Sequence, residues 1–166
     1  MDAALATPRL LSAEDFTRLV RSAPLVSVDL IIRNGEGKVL VALRDDEPEG
    51  YLFVPGGIVL KAEPIEAAFG RIVAREIGCR MSYEIARFRG VYQHFYRASR
   101  LGAETGTHYV ELAHDLALGG DAAIKLDKTH STYRWLSESE ILASPEVHEY
   151  VKDYFHPARR THHAPT

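Results

Sequence analysis

The sequence has little of what marks disulfide-stabilised, metal-cluster or nucleic-acid-binding proteins. Cys79 is the one cysteine among 166 residues, which excludes a disulfide within the chain and a thiolate metal cluster. Lys and Arg number 20 and Asp and Glu number 23, so the formal charge is −3. This balance provides no basic arm for a nucleic acid, and we expect no nucleic-acid partner.

The sequence also lacks a long apolar run. The longest stretch without Asp, Glu, Lys or Arg is Gly50–Leu60, eleven residues, whereas a membrane helix needs roughly 20 apolar residues. The first residues include an early acid, Asp2, and no apolar segment typical of a secretory signal. We therefore expect no membrane partner and a cytoplasmic location.

What remains is an ordinary globular composition, with 46% hydrophobic and 26% charged residues. A chain of this length corresponds to about one domain and buries about 70% of its unfolded surface. Residues 1–10 and 157–166 have the character of tails. We expect a single domain over residues 1–166, with its core at about 12–156.

Local patterns predict a β-rich chain with one central helix and a helical C-terminal region. Runs typical of strands are Leu25–Ile32, Lys38–Leu43, Tyr51–Val54, Ile85–Tyr96, Thr107–Leu118 and Tyr133–Leu136. Helices are predicted after Ser12, from about Pro64 to Gly78, and from Ser137 and Ser144 towards Phe155. Pro55-Gly56-Gly57 is predicted to be irregular, and His130 to lie in a polar loop. The order indicates an α+β fold.

The central helix carries a carboxylate on its apolar face. At 100° per residue, Glu76 lies about 20° from Ile65, in the stripe formed with Ile72 and Phe69. Such a carboxylate must be paired, hydrogen-bonded, protonated or metal-bound, because bare burial is too costly. Either Glu76 turns outward to a Lys or Arg, or it joins a carbonyl oxygen of the preceding glycines in a Mg²⁺ site.

The glycine–helix segment resembles the Nudix box. The positions that match its spacing are Gly57, Glu63, Arg71, Val73, Glu76, Gly78 and Cys79. Ile72 and Arg75 stand where the box has two further glutamates. Ordinary Nudix enzymes use several helix carboxylates to hold metals against a diphosphate, so this departure puts a standard pyrophosphatase mechanism in doubt.

The chain looks more specifically like the GDP-mannose mannosyl hydrolases, a Nudix branch that lacks those glutamates. The likeness extends over roughly residues 12–156 and is carried by Pro24–Asp29, Gly50–Gly57, Glu66–Phe69, Gly90–Tyr96, Thr107–Val110 and Tyr133–Leu136. It implies the Nudix fold, a mixed β-sheet sandwiched between α-helices, and a homodimer. It implies hydrolysis of a nucleotide-sugar by water attack at the anomeric carbon, with inversion and departure of GDP.

The resemblance also assigns roles to particular residues. It implies Mg²⁺, with Mn²⁺ as a substitute, held by the Gly56 carbonyl and Glu76. It implies His130 as general base, a role that suits an imidazole. The remaining matches are Tyr109, Arg44 and Arg71 at the leaving GDP, and Asp29 and His94 at the sugar–diphosphate site. Ile58 and Thr129 depart from the family pattern.

Plainer interpretations exist for several of these residues. Arg71 on a helix flank is typical of a structural pair with a loop acid such as Glu63. His94 and His108 are compatible with ordinary sheet positions, and His130 with a surface loop.

Three functions remain open at the level of sequence. The first is a Mg²⁺-dependent GDP-sugar hydrolase that releases free hexose, and the second is a Nudix pyrophosphohydrolase that cuts between phosphates. The third is an inactive nucleotide-sugar sensor. Retention of Glu76 and His130 favours an enzyme over a sensor.

Overall fold

The structure is a computed structural model that describes residues 11–44, 50–97, 101, 105–118, 124 and 130–156. Its helices are α1 (Ala13–Ser22), α2 (Ile65–Ile77), α3 (Glu138–Ala143) and α4 (Glu149–Asp153). Its strands are β1 (Leu25–Arg33), β2 (Val39–Arg44), β3 (Leu52–Phe53), β4 (Gly56–Ile58), β5 (Arg87–Tyr96), β6 (Thr107–Ala117) and β7 (His130–Leu136). A short 3-10 turn spans Tyr83–Ile85.

The strands of the described residues form one mixed sheet. The main path runs β3-β2-β1-β6-β5, with β4 added to β1 and β7 to β2. β1 and β6 are parallel, from Leu25 opposite Tyr109 to Arg33 opposite Ala117. The other paired strands are antiparallel. This confirms the α+β prediction.

Helices cover both faces of the sheet. Successive side chains of β1 point to opposite faces, so this strand contributes to two cores. Val28, Leu30 and Ile32 of β1 pack with the apolar face of α2. Ile31 points the other way, into a core that includes Ile141 of α3 and Val151 of α4. The sheet is therefore sandwiched between helices, as expected from the family resemblance.

Local signals fix several helix ends. The Ser12 side chain accepts a hydrogen bond from the Asp15 backbone N–H, 3.1 Å away, at the start of α1. α2 begins after Pro64 and ends at Gly78, whose φ of 72° is left-handed backbone that glycine adopts readily. Ser137 and Glu140 form a reciprocal capping box on α3. These three helix starts or ends confirm the sequence predictions.

Some local predictions were wrong. Gly56 and Gly57 are not irregular but lie in β4, paired antiparallel with β1. His130 is not in a loop but is the first residue of β7. The last helix begins at Glu149, after the His148 cap, rather than at Ser144. In the first two cases the strand depends on pairing with residues distant in sequence, which local composition does not reveal.

None of the helices in the described ranges is long and apolar enough to cross a membrane.

Candidate active site

The last turn of α2 places Glu76 on the apolar stripe, and its side chain is buried rather than turned outward. Its side chain is 3% exposed and lies beside Ile72 and Val73 in the core-facing set. The carboxylate is paired with the guanidinium of the preceding residue. Arg75 Nε donates to Glu76 Oε1 over 2.8 Å, and Arg75 Nη2 lies 2.6 Å from the same oxygen. Glu76 therefore pairs with an arginine but does not turn outward, and its role as a metal ligand stays a prediction.

The same guanidinium reaches the glycine pair of β4. Arg75 Nη2 donates to the Gly56 carbonyl oxygen over 3.3 Å. A Cβ built on Gly57 would lie 2.6 Å from Arg75 Nη2, so the missing side chain leaves room for the guanidinium. Arg75 is 47% exposed, so part of its side chain faces solvent at this point.

This arrangement bears on the predicted metal pair. The Gly56 carbonyl and the Glu76 carboxylate, which the resemblance implied as metal ligands, both contact the Arg75 guanidinium. The cation between them is the Arg75 guanidinium, and a divalent ion on the same two oxygens would meet a like charge within a few ångström. With Arg75 in this position, the pair does not fit Mg²⁺ or Mn²⁺.

On the opposite face of β4 lies the predicted pocket residue Asp29. Asp29 pairs with Gly56 across the β1–β4 ladder, and a Cβ on Gly56 would lie 2.0 Å from Asp29 Oδ1. Only glycine fits at position 56, because a side chain there would overlap the carboxylate. The Tyr154 hydroxyl, from the end of α4, donates a hydrogen bond to the other Asp29 oxygen.

Asp29 belongs to a group of titratable side chains that the sheet brings together. Ligand atoms of Asp29, His94 and Glu111 all lie within 4.8 Å of one another, and His94 Nδ1 is 3.6 Å from Glu111 Oε1. Two carboxylates and an imidazole are a donor set that could hold a divalent cation. They could equally accept hydrogen bonds from the hydroxyls of a sugar.

The surroundings of His94 favour its neutral form. Burial lowers its pKa, because desolvation disfavours the charged ring, although the charges of Asp29 and Asp153 act in the opposite direction. No hydrogen-bond partner for its Nε2 lies among the described residues. The ring stacks on Tyr150 with centroids 4.3 Å apart and planes 8° apart. Neutral His94 can therefore donate or accept one hydrogen bond with a ligand.

Aromatic rings surround this group. Tyr96 makes edge contacts with Tyr109 and Tyr150, at centroid distances of 5.9 and 5.2 Å. His148 lies 5.0 Å from Tyr150 and 5.7 Å from Tyr96. Tyr109 stands opposite His94 in the β5–β6 register. The structure thus places three of the predicted residues, Asp29, His94 and Tyr109, on one face of the sheet.

Arg71 lies on the α2 side and is bound to Glu63. Its Nε and Nη2 donate to the two Glu63 oxygens over 2.7 Å each, and Nη2 also donates to the Ile58 carbonyl over 2.8 Å. The hydrogen bond from Arg71 lowers the pKa of Glu63, against the opposing effect of burial. This is the structural pair that the sequence offered as the plainer interpretation of Arg71.

Arg44 and His130 are opposite residues of the β2–β7 pair. Their backbones lie across the ladder from each other, next to a bulge between Ala42 and Arg44. Their side chains lie outside the described part of the structure, as does Thr129. The backbone alone brings these two predicted residues together.

Sequence reasoning missed Arg75, Glu111 and Tyr154 as site residues. Glu111 had a usable signal, since it is two residues from Tyr109 on a strand and therefore shares its face. Arg75 projects to the flank of α2 on a helical wheel, so its contact with Gly56 follows from where β4 lies. Tyr154 has no local signal at all.

Comparison with known proteins identifies the family. A family model described as the NUDIX domain matches residues 23–157. The chain belongs to the Nudix family, a class of hydrolases that act on nucleoside diphosphate compounds and generally use Mg²⁺ or Mn²⁺.

Individual relatives agree with this assignment. The chain is 35% identical over 144 residues to the low-salt glycan biosynthesis protein Agl8 of Haloferax volcanii, covering 85% of this chain and 86% of that protein. The MutT protein of Methanosarcina mazei superposes with a TM-score of 0.67 at 25% identity, covering 81% and 92% of the two chains. A MutT Nudix hydrolase of Burkholderia pseudomallei gives a TM-score of 0.62 at 23% identity, covering 78% and 94%. The Nudix fold expected from the sequence is confirmed.

Proposed function

We propose that this Nudix hydrolase cleaves a GDP-sugar, such as GDP-mannose or GDP-glucose, at the anomeric carbon and releases GDP and free hexose. The observation that carries the proposal is the composition of the last turns of α2. Position 72 is a buried isoleucine, and position 75 is an arginine bound to Glu76. Of the three glutamates that the box has at positions 72, 75 and 76 of the helix, only Glu76 is left.

The missing carboxylates favour attack at carbon over attack at phosphorus. Attack at phosphorus in this family relies on helix carboxylates that hold metals and activate water beside the diphosphate. Attack at the anomeric carbon needs a base for the water and cations that neutralise the departing diphosphate. At position 75 the last turn of α2 carries an arginine where the ordinary box has a glutamate, and Arg71, which the ordinary box also has, is a second cation on the same helix.

The far face of β4 supports a sugar ligand. Asp29 and Glu111 provide acceptors for hydroxyl groups, and neutral His94 provides a donor or an acceptor. The surrounding rings of Tyr96, Tyr109 and Tyr150 supply apolar surface of the kind that carbohydrate C–H groups contact.

Within this reaction His130 is proposed as the general base. It takes a proton from water, the hydroxyl bonds to the anomeric carbon with inversion, and the carbon–oxygen bond to GDP breaks. Tyr109, Arg44 and Arg71 are proposed to hold the leaving GDP, and Asp29 and His94 the sugar side. These roles follow from the resemblance to the GDP-mannose mannosyl hydrolases.

The relatives support a substrate of this class. Agl8 of Haloferax volcanii is by name a glycan biosynthesis protein, and glycan assembly consumes nucleotide-activated sugars. The proposed substrate therefore matches what the 35% identical relative is named for. A cytoplasmic location and a homodimer remain predictions, to be tested by cell fractionation and by size-exclusion chromatography with light scattering.

Hydrolysis in ¹⁸O-labelled water tests the reaction directly. The protein is incubated with GDP-mannose or GDP-glucose, with and without Mg²⁺ or Mn²⁺, and the products are analysed by mass spectrometry. We expect GDP and hexose, with the label in the hexose. Label in a phosphate, with GMP and a sugar phosphate as products, would instead establish a pyrophosphohydrolase. Absence of turnover with nucleotide binding retained would establish the sensor.

A further inference from the structure

We propose that the guanidinium of Arg75 takes the place of the divalent metal at the Gly56–Glu76 pair, so that GDP-sugar hydrolysis by this chain does not require Mg²⁺ at that position. The part of this inference that concerns catalysis rests on the proposed function. The part that concerns ion binding stands on the geometry of Arg75 alone.

The guanidinium already contacts both oxygens that the resemblance assigns to the metal. Its nitrogens lie 2.6 and 2.8 Å from Glu76 Oε1 and 3.3 Å from the Gly56 carbonyl oxygen. A divalent ion would need lone pairs of these same oxygens at about 2.0–2.1 Å. Metal and guanidinium therefore compete for one position.

The surroundings favour the guanidinium. Glu76 is 3% exposed, so its charge needs a partner, and Arg75 supplies one from the adjacent residue at no cost of bringing an ion from solution. Gly57 leaves the space that Nη2 occupies. An arginine is always charged and has five donors in a plane, so it can contact Glu76, Gly56 and a phosphate together.

The replacement alters the charge of the site. Glu76 with Arg75 sums to zero, whereas Glu76 with Mg²⁺ would sum to +1. Neutralisation of the leaving diphosphate must then depend more on arginines than in a metal-dependent enzyme. Arg75, being 47% exposed, presents its outer edge where a diphosphate at Gly56 would lie.

Mn²⁺ binding, measured by electron paramagnetic resonance of the free ion, tests the ion-binding part without any substrate. Arg75→Ala should bind Mn²⁺ at least about tenfold more tightly than the wild type, because a like charge next to the site is removed. Gly57→Ala, which forces Nη2 away while leaving the arginine in the chain, should shift affinity in the same direction. Equal Mn²⁺ affinity in the wild type and Arg75→Ala would overturn the proposal.

Two controls show where any additional Mn²⁺ binds. Arg75→Ala combined with Glu76→Gln should lose the gained site, which ties it to the Glu76 carboxylate. All comparisons are repeated in a Glu111→Gln background, because the Asp29–His94–Glu111 group is a separate donor set. A gain that persists without the Glu76 carboxylate would place the ion elsewhere and contradict the proposal.

Activity in chelator tests the catalytic part. The wild type should hydrolyse GDP-mannose in excess EDTA at a rate close to that in Mg²⁺, whereas Arg75→Ala should be active only with added metal. Arg75→Lys keeps the charge but not the planar set of donors, and should be intermediate. A wild type that loses its activity in EDTA while Mg²⁺ restores it would overturn this part. If no variant turns over a GDP-sugar, the proposed function fails, while the Mn²⁺ comparison still decides the role of Arg75.

Discussion

The Tyr154 hydroxyl donates a hydrogen bond to the Asp29 carboxylate across 125 positions of sequence. Tyr154 is fully buried at the end of α4, and Asp29 lies on β1, so this bond joins the C-terminal helical layer to the polar end of the sheet. Burial raises the pKa of Tyr154 well above its usual range, and the charges of Asp29 and Glu111 raise it further. The hydroxyl therefore remains a donor at any working pH.

Tyr154→Phe should lower both stability and substrate affinity. A hydrogen bond to a charged group contributes about 1.5–3 kcal/mol, and the free energy of unfolding in urea should fall by about that amount. KM should rise more than kcat falls, because Asp29 is proposed to hold the substrate. The matched control is Tyr150→Phe, whose hydroxyl bonds only to backbone atoms of Phe95 in the described contacts. Equal losses of stability and of substrate affinity in both variants would show that the hydrogen bond from Tyr154 has no specific effect on Asp29.

Glu63→Gln should destabilise the turn before α2 by about 1.5–3 kcal/mol, since it removes a charge-assisted, two-pronged contact with Arg71. The pKa of Glu63 is lowered in the folded protein. Its contribution is therefore complete above the usual glutamate pKa of about 4.3 and is lost as pH falls through the lower folded value. Wild-type stability should fall through this acid window, and the variant should lack that part of the fall.

The control for Glu63 is another arginine–glutamate pair on the surface. Arg134 and Glu146 are in contact over 2.7 Å but are about half exposed. Glu146→Gln should change urea stability less than Glu63→Gln, because solvent screens the exposed pair. The two variants are compared by chemical denaturation from about pH 3 to pH 7, a range that includes the titration of glutamate carboxyl groups. A larger effect at Glu146 would contradict the assignment.

His114 should make the fold sensitive to mild acid. Its Nδ1 lies 2.9 Å from the Leu112 carbonyl, which only accepts, so Nδ1 carries the proton and Nε2 accepts from the Tyr83 hydroxyl 3.1 Å away. Burial lowers the pKa of His114. The neutral ring is therefore the folded form, and stability should fall as pH drops below about 6.5, where the unfolded chain takes up the proton first.

The measurement is urea unfolding between about pH 7 and pH 5, around the usual histidine pKa. His114→Gln should be less stable at neutral pH but should show a shallower loss on acidification. His156→Gln removes an exposed imidazole instead and is the control. An unchanged slope in His114→Gln would assign the acid sensitivity to another group, with buried His94 the next to test.

His130→Gln tests the proposed base. The variant should lose about 10²–10⁴-fold in kcat, the usual range for a positioned base, with a much smaller change in KM. The wild type should lose activity on the acid side near about pH 6–7 as the imidazole is protonated, and the variant should lack that limb. A variant that keeps the acid limb would assign the role of base to His94 and leave His130 as a residue of β7 without a catalytic role.

Much of the fold could be predicted from local pattern. The helical periodicity of α2 put Glu76 on the apolar stripe but left open whether its side chain turns outward. Ser12, Gly78 and Ser137 marked helix ends through their capping chemistry. These features depend on residues within one or two turns of each other. The strand positions of β1, β2, β5 and β6 likewise follow from alternation and apolar content.

The rest depended on contacts between distant segments. Gly56 belongs to a strand because β1 lies beside it and the Asp29 carboxylate fills the space of its missing side chain. Arg75 contacts Gly56 because β4 runs past the last turn of α2. No local rule indicates either contact. The family resemblance implied a metal ion bound by the Gly56 carbonyl and Glu76. In the structure the guanidinium of Arg75, a residue that departs from the ordinary box, contacts both groups.

The parallel pairing of β1 with β6 also determines how late in protein synthesis the sheet can be completed. β1 is complete by Arg33, yet its parallel neighbour is complete only at Ala117. In a chain emerging from the ribosome, the edge of β1 that pairs with β6 stays unpaired until that strand has been synthesised, because pairings between distant segments form late. Biosynthesis that stalls before β6 would leave an open apolar edge for chaperones or proteases to recognise. The step most exposed to cellular quality control is therefore the closing of the sheet, well before any chemistry begins.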